Sequence, residues 1–270
     1  MFLALDCLKF YKLKSEGTVR SLFVILYLMF LAFDIFPIGE VPDYAGILVF
    51  LQSGSNADFP EISTGNLYYV LSLLVFSLIT SLFSVVYATA FVSEKEGFPA
   101  RKGIVDTLRK IPQLFGFILI LVVPAMISSV FIFIPLIYLY YSLFVAPILI
   151  TEGKMGIFSA MSESLRSTRG YKFSIFFTQI VVNMIINIPV SIFEMGFIFG
   201  GQGSYLASSL VLSFFRASRV LVIGRLIGHF YIMIVKQRKD VLSVPVADEG
   251  KSPAQDSNDN DTEAISADKV

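Results

Sequence analysis

The sequence predicts an all-α polytopic membrane protein with about six transmembrane helices, two cytoplasmic interfacial amphipathic helices and a candidate parallel internal repeat. Three observations carry this. Of 270 residues, 55% are hydrophobic and only 16% charged, against about 25% charged in soluble domains, and the mean hydropathy is +0.74. Several uncharged runs approach or exceed the ~20 helical residues that a hydrocarbon core of about 30 Å requires. Finally, Lys and Arg fall in blocks that alternate with segments holding none, as expected where cytoplasmic loops are enriched in positive charge.

The chain divides into a cytoplasmic amphipathic N-terminus at 1–20, a transmembrane domain at 21–236 and an acidic tail at 237–270. In the first segment Phe2, Leu5, Leu8 and Leu13 stand among lysines, the pattern of a helix lying at the interface. Cys7 reads as a buried apolar residue there, and as the sole cysteine it cannot form an intramolecular disulfide. The first apolar run, 21–36, carries Asp34. It is taken as a retained span, because the nearest cleavage-like site, Asp43-Tyr44-Ala45, has an acid where a small residue is needed.

The second run, 67–92, is uncharged, and so is the whole stretch from Ile111 to Thr151. As one helix that stretch would be roughly 60 Å long, about twice a bilayer's core, so it turns back on itself near Ser128, Ser129 and Pro135. Runs at 173–200 and 206–235 complete six crossings. The tail from Val241 is poor in apolar residues and is expected to be disordered.

The formal net charge of zero conceals a sidedness. Residues 241–270 hold seven acids against Lys251 and Lys269, which leaves −5 there and +5 on the rest. Sixteen Lys and Arg lie in the N-terminal segment, the connections at 93–112 and 152–172, and the exit from the last run; the segments at 37–66 and 200–205 have none. Both termini are therefore expected in the cytoplasm of a multi-pass cell-membrane protein. The bilayer is the expected environment, with a membrane-protein partner or a second copy as further partners. The neutral balance argues against nucleic acid.

The two basic connections have helical periodicity. Pro99 suits a first turn, and Ile104, Val105, Leu108 and Ile111 share a face; Met155, Phe158, Met161 and Leu165 do the same in the second connection. Each connection follows an acid-glycine pair, Glu96-Gly97 or Glu152-Gly153, and Thr107-Leu108-Arg109 answers Ser164-Leu165-Arg166. This is the basis of the candidate repeat, whose copies would be related by an axis along the membrane normal.

The stretch APILITEGKMGIFSAMSESLRSTRGYKFSIFF resembles a signature of uncharacterised bacterial integral membrane proteins related to the glycerophosphoryl diester phosphodiesterase membrane domain. The residues that carry the resemblance are Pro147, Glu152, Gly153, Ala160, Ser164, Thr168, Gly170 and Phe173. Leu165 departs from the signature, which often has tryptophan there. The resemblance implies a six-helix membrane domain of largely unknown role; the lipid-headgroup hydrolysis of the soluble phosphodiesterase domain fused in some relatives is not carried over to this chain.

Ionisable groups at a helix centre cost about 2.5 to 3.5 kcal/mol on insertion scales, so each calls for a partner or a purpose. Counting about 1.5 Å per residue inward from Lys236, Arg225 falls near the midplane with His229 one turn below, while Arg219 and Arg216 fall near the outer surface. The same count puts Asn183 near the midplane, Asn187 further out and Glu194 at the outer boundary. Asp34 in the first span, Asn183 and Asn187 are candidate partners of Arg225, and Glu194 of Arg216 or Arg219. The set describes either structural glue between helices or a polar site for an anionic solute or lipid headgroup, with the first weighted about two to one.

No cofactor or metal site is expected. A single histidine excludes a His-rich metal site, no acid/base pair lies at one depth, and GGQG at 200–203 reads as a hairpin turn because no Lys-Ser/Thr follows. The expected role is non-enzymatic membrane organisation or partner assembly, with transport of a small anion through the Arg225 region as the alternative.

Overall fold

The computed structural model describes residues 2–43, 46, 61, 63–130, 134–152, 155–198 and 205–236, excluding side chains at 2, 122–123, 125–130, 134, 194–198 and 205. The described residues form helices and no strand. In chain order these are α1 (Phe2–Cys7), α2 (Glu16–Ile35), α3 (Thr64–Lys95), α4 (Ala100–Arg109), α5 (Ile111–Val130), α6 (Ile134–Ser142), α7 (Ala146–Thr151), α8 (Ile157–Ser167), α9 (Lys172–Ile198) and α10 (Tyr205–Tyr231). A π-helical turn, Ile232–Lys236, extends α10. The predicted outer hairpin at 200–203 and the acidic tail from 237 lie outside the described residues.

Four helices are long and apolar enough to cross a membrane: Glu16–Ile35, Thr64–Lys95, Lys172–Phe193 and Leu206–Lys236. The uncharged stretch at 111–151 is divided among α5, α6 and α7. Its described apolar helix, Ile111–Leu121, is shorter than a span. The expected turn falls between α5 and α6 at 131–133, outside the described residues, with Ser128 and Ser129 still in α5 and Pro135 already in α6. Pro124 and Pro189 lie inside α5 and α9.

Local signals explain the helix boundaries. Ser63 caps α3 through a reciprocal capping box with Asn66, whose side-chain amide also donates to the Glu40 carbonyl. Gly97 takes a φ of +86° just past α3, and Pro99 then opens α4. Gly170 turns the chain out of α8 with a φ of +93°.

The core sits towards one end of the bundle. Residues 84–92 of α3 are all buried, whereas Leu67, Tyr68, Leu71 and Leu74 at its other end are exposed. That buried stretch packs on α10, where Gly224 and Gly228 lie against Tyr87 and Phe91. A Cβ at Gly224 would come within 2.5 Å of the Ser84 carbonyl, so only glycine permits this approach. Ser84 Oγ donates to the Val220 carbonyl across the same contact.

The two short connection helices are seated by small residues. Helix α4 buries Ala100, Gly103 and Thr107 against α3, and Thr107 shares a hydrogen bond with Thr89. Helix α8 buries Ala160, Ser164 and Ser167. Ser164 and Thr168 both donate to the Ser142 carbonyl, at 2.9 and 3.0 Å, at the C-terminal end of α6. Leu108, Phe158 and Leu165 remain exposed.

The N-terminal segment differs from the surface-lying helix that its composition predicts. Only six residues are helical in α1, which packs against α9 and α10. Ala4, Cys7 and Leu13 are buried in the common core. The physical reason is polar: the bundle supplies buried donors for this segment's main chain.

Candidate functional site

Residues 8–15, between α1 and α2, form a strap across α3 and α10. Irregular backbone away from water needs partners for its carbonyls. Two side chains supply them. Arg225 Nη1 donates to the Lys9 carbonyl at 2.7 Å and to the Lys12 carbonyl at 3.4 Å, and the Tyr87 hydroxyl donates to the Phe10 carbonyl. At the strap's far end, Glu94 accepts from the amides of Lys14 (2.8 Å) and Ser15 (3.0 Å) and from the Ser15 hydroxyl. A carboxylate from α3 thus serves the N-terminus of α2, where its negative charge also meets the helix dipole favourably.

Asp6, in α1 just before the strap, is the carboxylate that lies beside Arg225 and His229. Its Oδ2 lies 3.0 Å from His229 Nε2 and 3.7 Å from Arg225 Nη2, while Lys9 Nζ is 3.6 Å from Oδ1. Burial raises the Asp6 carboxyl, but Arg225, His229 and Lys9 outweigh it and hold the group below its ordinary 3.8. The neighbouring Cys7 thiol is pushed up to about 12, chiefly by burial. The face of Phe91 supports the cations, with the Arg225 guanidinium 4.9 Å, the His229 ring 4.7 Å and Lys95 Nζ 5.7 Å from its centroid.

The sequence-derived polar residues do not gather around Arg225. Asp34 pairs with Arg216 and accepts from Ser213 at 3.2 Å, joining α2 to α10 at a different level. Asn183 is half-buried, and its Oδ1 has no hydrogen-bond partner among the described residues. Asn187 and Arg219 are exposed, and the Glu194 side chain lies outside the described residues. The expected partners of Arg225, Asp34 and the two asparagines, are replaced by main-chain carbonyls and Asp6. Only His229, of the residues proposed to accompany it, shares its site.

A second charged cluster lies at the end of α10. Lys236 bridges Glu96 and Glu152, the acids of the two acid-glycine pairs, and the Tyr231 hydroxyl donates to Glu152. A cleft of about 210 Å³ opens beside it, lined also by Asp106 and Lys102. An apolar cavity of about 330 Å³ lies between α3, α5, α7 and α10, walled by Leu114, Phe117, Phe144 and Ile227. Arg225 lines neither.

The signature-like residues are largely structural in placement. Pro147 opens α7 and borders the apolar cavity, Ala160, Ser164 and Thr168 are buried, and Phe173 is exposed. Gly153 lies outside the described residues. Among the described residues no group of three or more His, Cys, Asp or Glu is arranged to hold a metal ion.

Sequence reasoning overlooked Asp6, Tyr87, Phe91 and Glu94. A depth count offered one signal: from Lys95, Tyr87 lies about 12 Å in, close to the level counted for Arg225. Comparison of the chain with protein-family models, with curated proteins and with solved structures gives no match.

Proposed function

We propose that the chain is a non-enzymatic integral membrane protein that organises its membrane or assembles with a membrane-protein partner or a second copy of itself. One observation carries this: three basic groups of the last helix, Arg225, Arg216 and Lys236, are engaged in holding other segments to it. Arg225 holds the strap, Arg216 holds Asp34, and Lys236 holds Glu96 and Glu152. Groups so engaged act as glue between helices.

In this proposal the chain crosses six times, with α5 and the α6–α7 pair as the two further crossings and both termini in the cytoplasm. The basic connections on either side of 111–151 share a side only if that stretch crosses twice. Helices α4 and α8 lie at the cytoplasmic leaflet, supported by the exposed Leu108, Phe158 and Leu165. The repeat gains support from the convergence of Glu96 and Glu152 on Lys236. Membership of the phosphodiesterase-related membrane family is proposed on the residues from Pro147 to Phe173 and rests on them alone. The acidic tail is the proposed contact for a cytoplasmic partner.

Two experiments test this. A cysteine placed at Asp58 should be labelled only from outside intact cells, and labelling only from the cytoplasm would overturn the topology. Arg225→Ala in proteoliposomes should lose the fold together with any other property. A folded variant that had lost anion flux shown by the wild type would overturn the structural role. The second reading, a transporter or channel for a small anionic solute or lipid headgroup, is favoured by the Asp6 carboxylate, which already sits beside Arg225 and His229.

A further inference from the structure

The Arg225 guanidinium is used unevenly. Its Nη1 serves the carbonyls of Lys9 and Lys12. Its other edge, formed by Nε and Nη2, is the one on which arginine takes carboxylates and phosphates with two parallel bonds. Nε is buried with no acceptor among the described residues, and Nη2 stands 3.7 Å from Asp6, beyond hydrogen-bond distance. The side chain is only 6% exposed, so this unused edge is held in place by its surroundings.

Charge at the site is also uneven. Arg225 and His229 meet both the Phe91 ring and Asp6, Lys95 reaches the Phe91 ring and Lys9 reaches Asp6. Glu94, the nearest other acid on α3, is occupied by the strap's amides and Ser15. Asp6 is 41% exposed and Lys9 48%, so the approach to Arg225 passes at the surface beside these two side chains. Three cations, Arg225, Lys9 and Lys95, thus face two carboxylates, Asp6 and Glu94, and Arg225 Nε has no hydrogen-bond partner among the described residues.

We propose that this site binds a phosphate-class oxyanion, with Asp6 as its built-in competitor. The anion takes the Nε–Nη2 edge of Arg225 together with His229 Nε2, and Lys9 and Lys95 supply the rim charge. It shares Arg225 with the transport reading but does not require transport. Binding without flux would overturn transport and leave the site standing.

The test uses the full chain in phosphatidylcholine nanodiscs, titrated calorimetrically with inorganic phosphate. Removing the competing charge with Asp6→Asn should tighten phosphate binding by about tenfold or more, the scale set by one like charge at contact distance. Protection of Cys7 from maleimide reports that the strap is still seated. Unchanged or weaker binding with Cys7 protected overturns the proposal. Should Asp6→Asn expose Cys7, Lys95→Gln decides in its place: several-fold weaker binding supports the site, and unchanged binding overturns it. Nanodiscs containing phosphatidic acid separate the sources. Loss of phosphate binding there supports the site with a lipid headgroup as its occupant, and unaltered binding supports it with free phosphate.

Discussion

Arg225 in the last helix donates to the main-chain carbonyl of Lys9, 216 residues earlier in the chain, at 2.7 Å. The contact explains both partners. An arginine within a span is expensive unless paired, and a partly buried irregular segment has carbonyls that need partners. Each removes the other's penalty, and Tyr87 does the same for Phe10.

Arg225→Gln should therefore release the strap. Charged hydrogen bonds contribute about 1.5 to 3 kcal/mol each and buried carbonyls left unpaired cost a similar amount, so a loss of about 2 to 4 kcal/mol is expected. Arg225→Lys should recover little, because an ammonium cannot reproduce the planar fork or its stacking on Phe91. Thermal unfolding in detergent measures the loss, and maleimide labelling of Cys7 should rise in parallel.

Cys7 is fully buried and its thiol is raised from 9.0 to about 12. Native protein should resist alkylation at pH 8 while denatured protein reacts quickly. The folded state favours the neutral thiol, so it binds more protons than the unfolded state between pH 9.0 and about 12. Stability should consequently fall with rising pH in that window and be indifferent to this group below it. Comparing unfolding of the wild type with Cys7→Ala across pH 8 to 11 isolates the contribution.

Lys236 meets Glu96 and Glu152 while about a third exposed. Water weakens such pairs, so Lys236→Gln should cost about 1 kcal/mol or less. The more telling quantity is coupling. A double-mutant cycle of Lys236→Gln with Glu152→Gln should be non-additive, whereas Lys236→Gln with Asp34→Asn should add, since Asp34 belongs to the separate pair with Arg216.

Gly224→Ala should cost about 1 to 3 kcal/mol, because the new Cβ meets the Ser84 carbonyl, which cannot yield without moving α3. Gly17→Ala in α2 is the control. Nothing lies within 4 Å of its Cβ, and it should be neutral or stabilising by up to about 1 kcal/mol.

Hydropathy and run length made four spans legible, since a span is a local property of some twenty neighbouring residues. The seating of α4 was less so. Ile104, Val105 and Leu108 mark an apolar face, yet Gly103 and Thr107 decide which side meets α3. Small residues carry little hydrophobic signal, and their value lies in how closely a neighbour can approach.

The candidate site divides in the same way. Depth counting along one helix singled out Arg225 and His229 and set Arg216 near the outer surface. It could not choose a partner for any of them. Asp34 was a chemically sound counter-charge for Arg225, but α2 carries it to Arg216 instead. Nothing in Lys9, Phe10 or Lys12 marks them as acceptors, because the accepting group is the carbonyl that every residue has.

The sequence alone determined that this is a helical protein with apolar, span-length segments and sharply segregated charge, since composition and periodicity act over neighbouring residues. Tertiary structure alone decided that the N-terminal segment seats against α3 and α10, and that Glu96 and Glu152 share Lys236. Those outcomes depend on distances between helices, and a main-chain carbonyl becomes the partner of an arginine only when the fold brings it within about 3 Å.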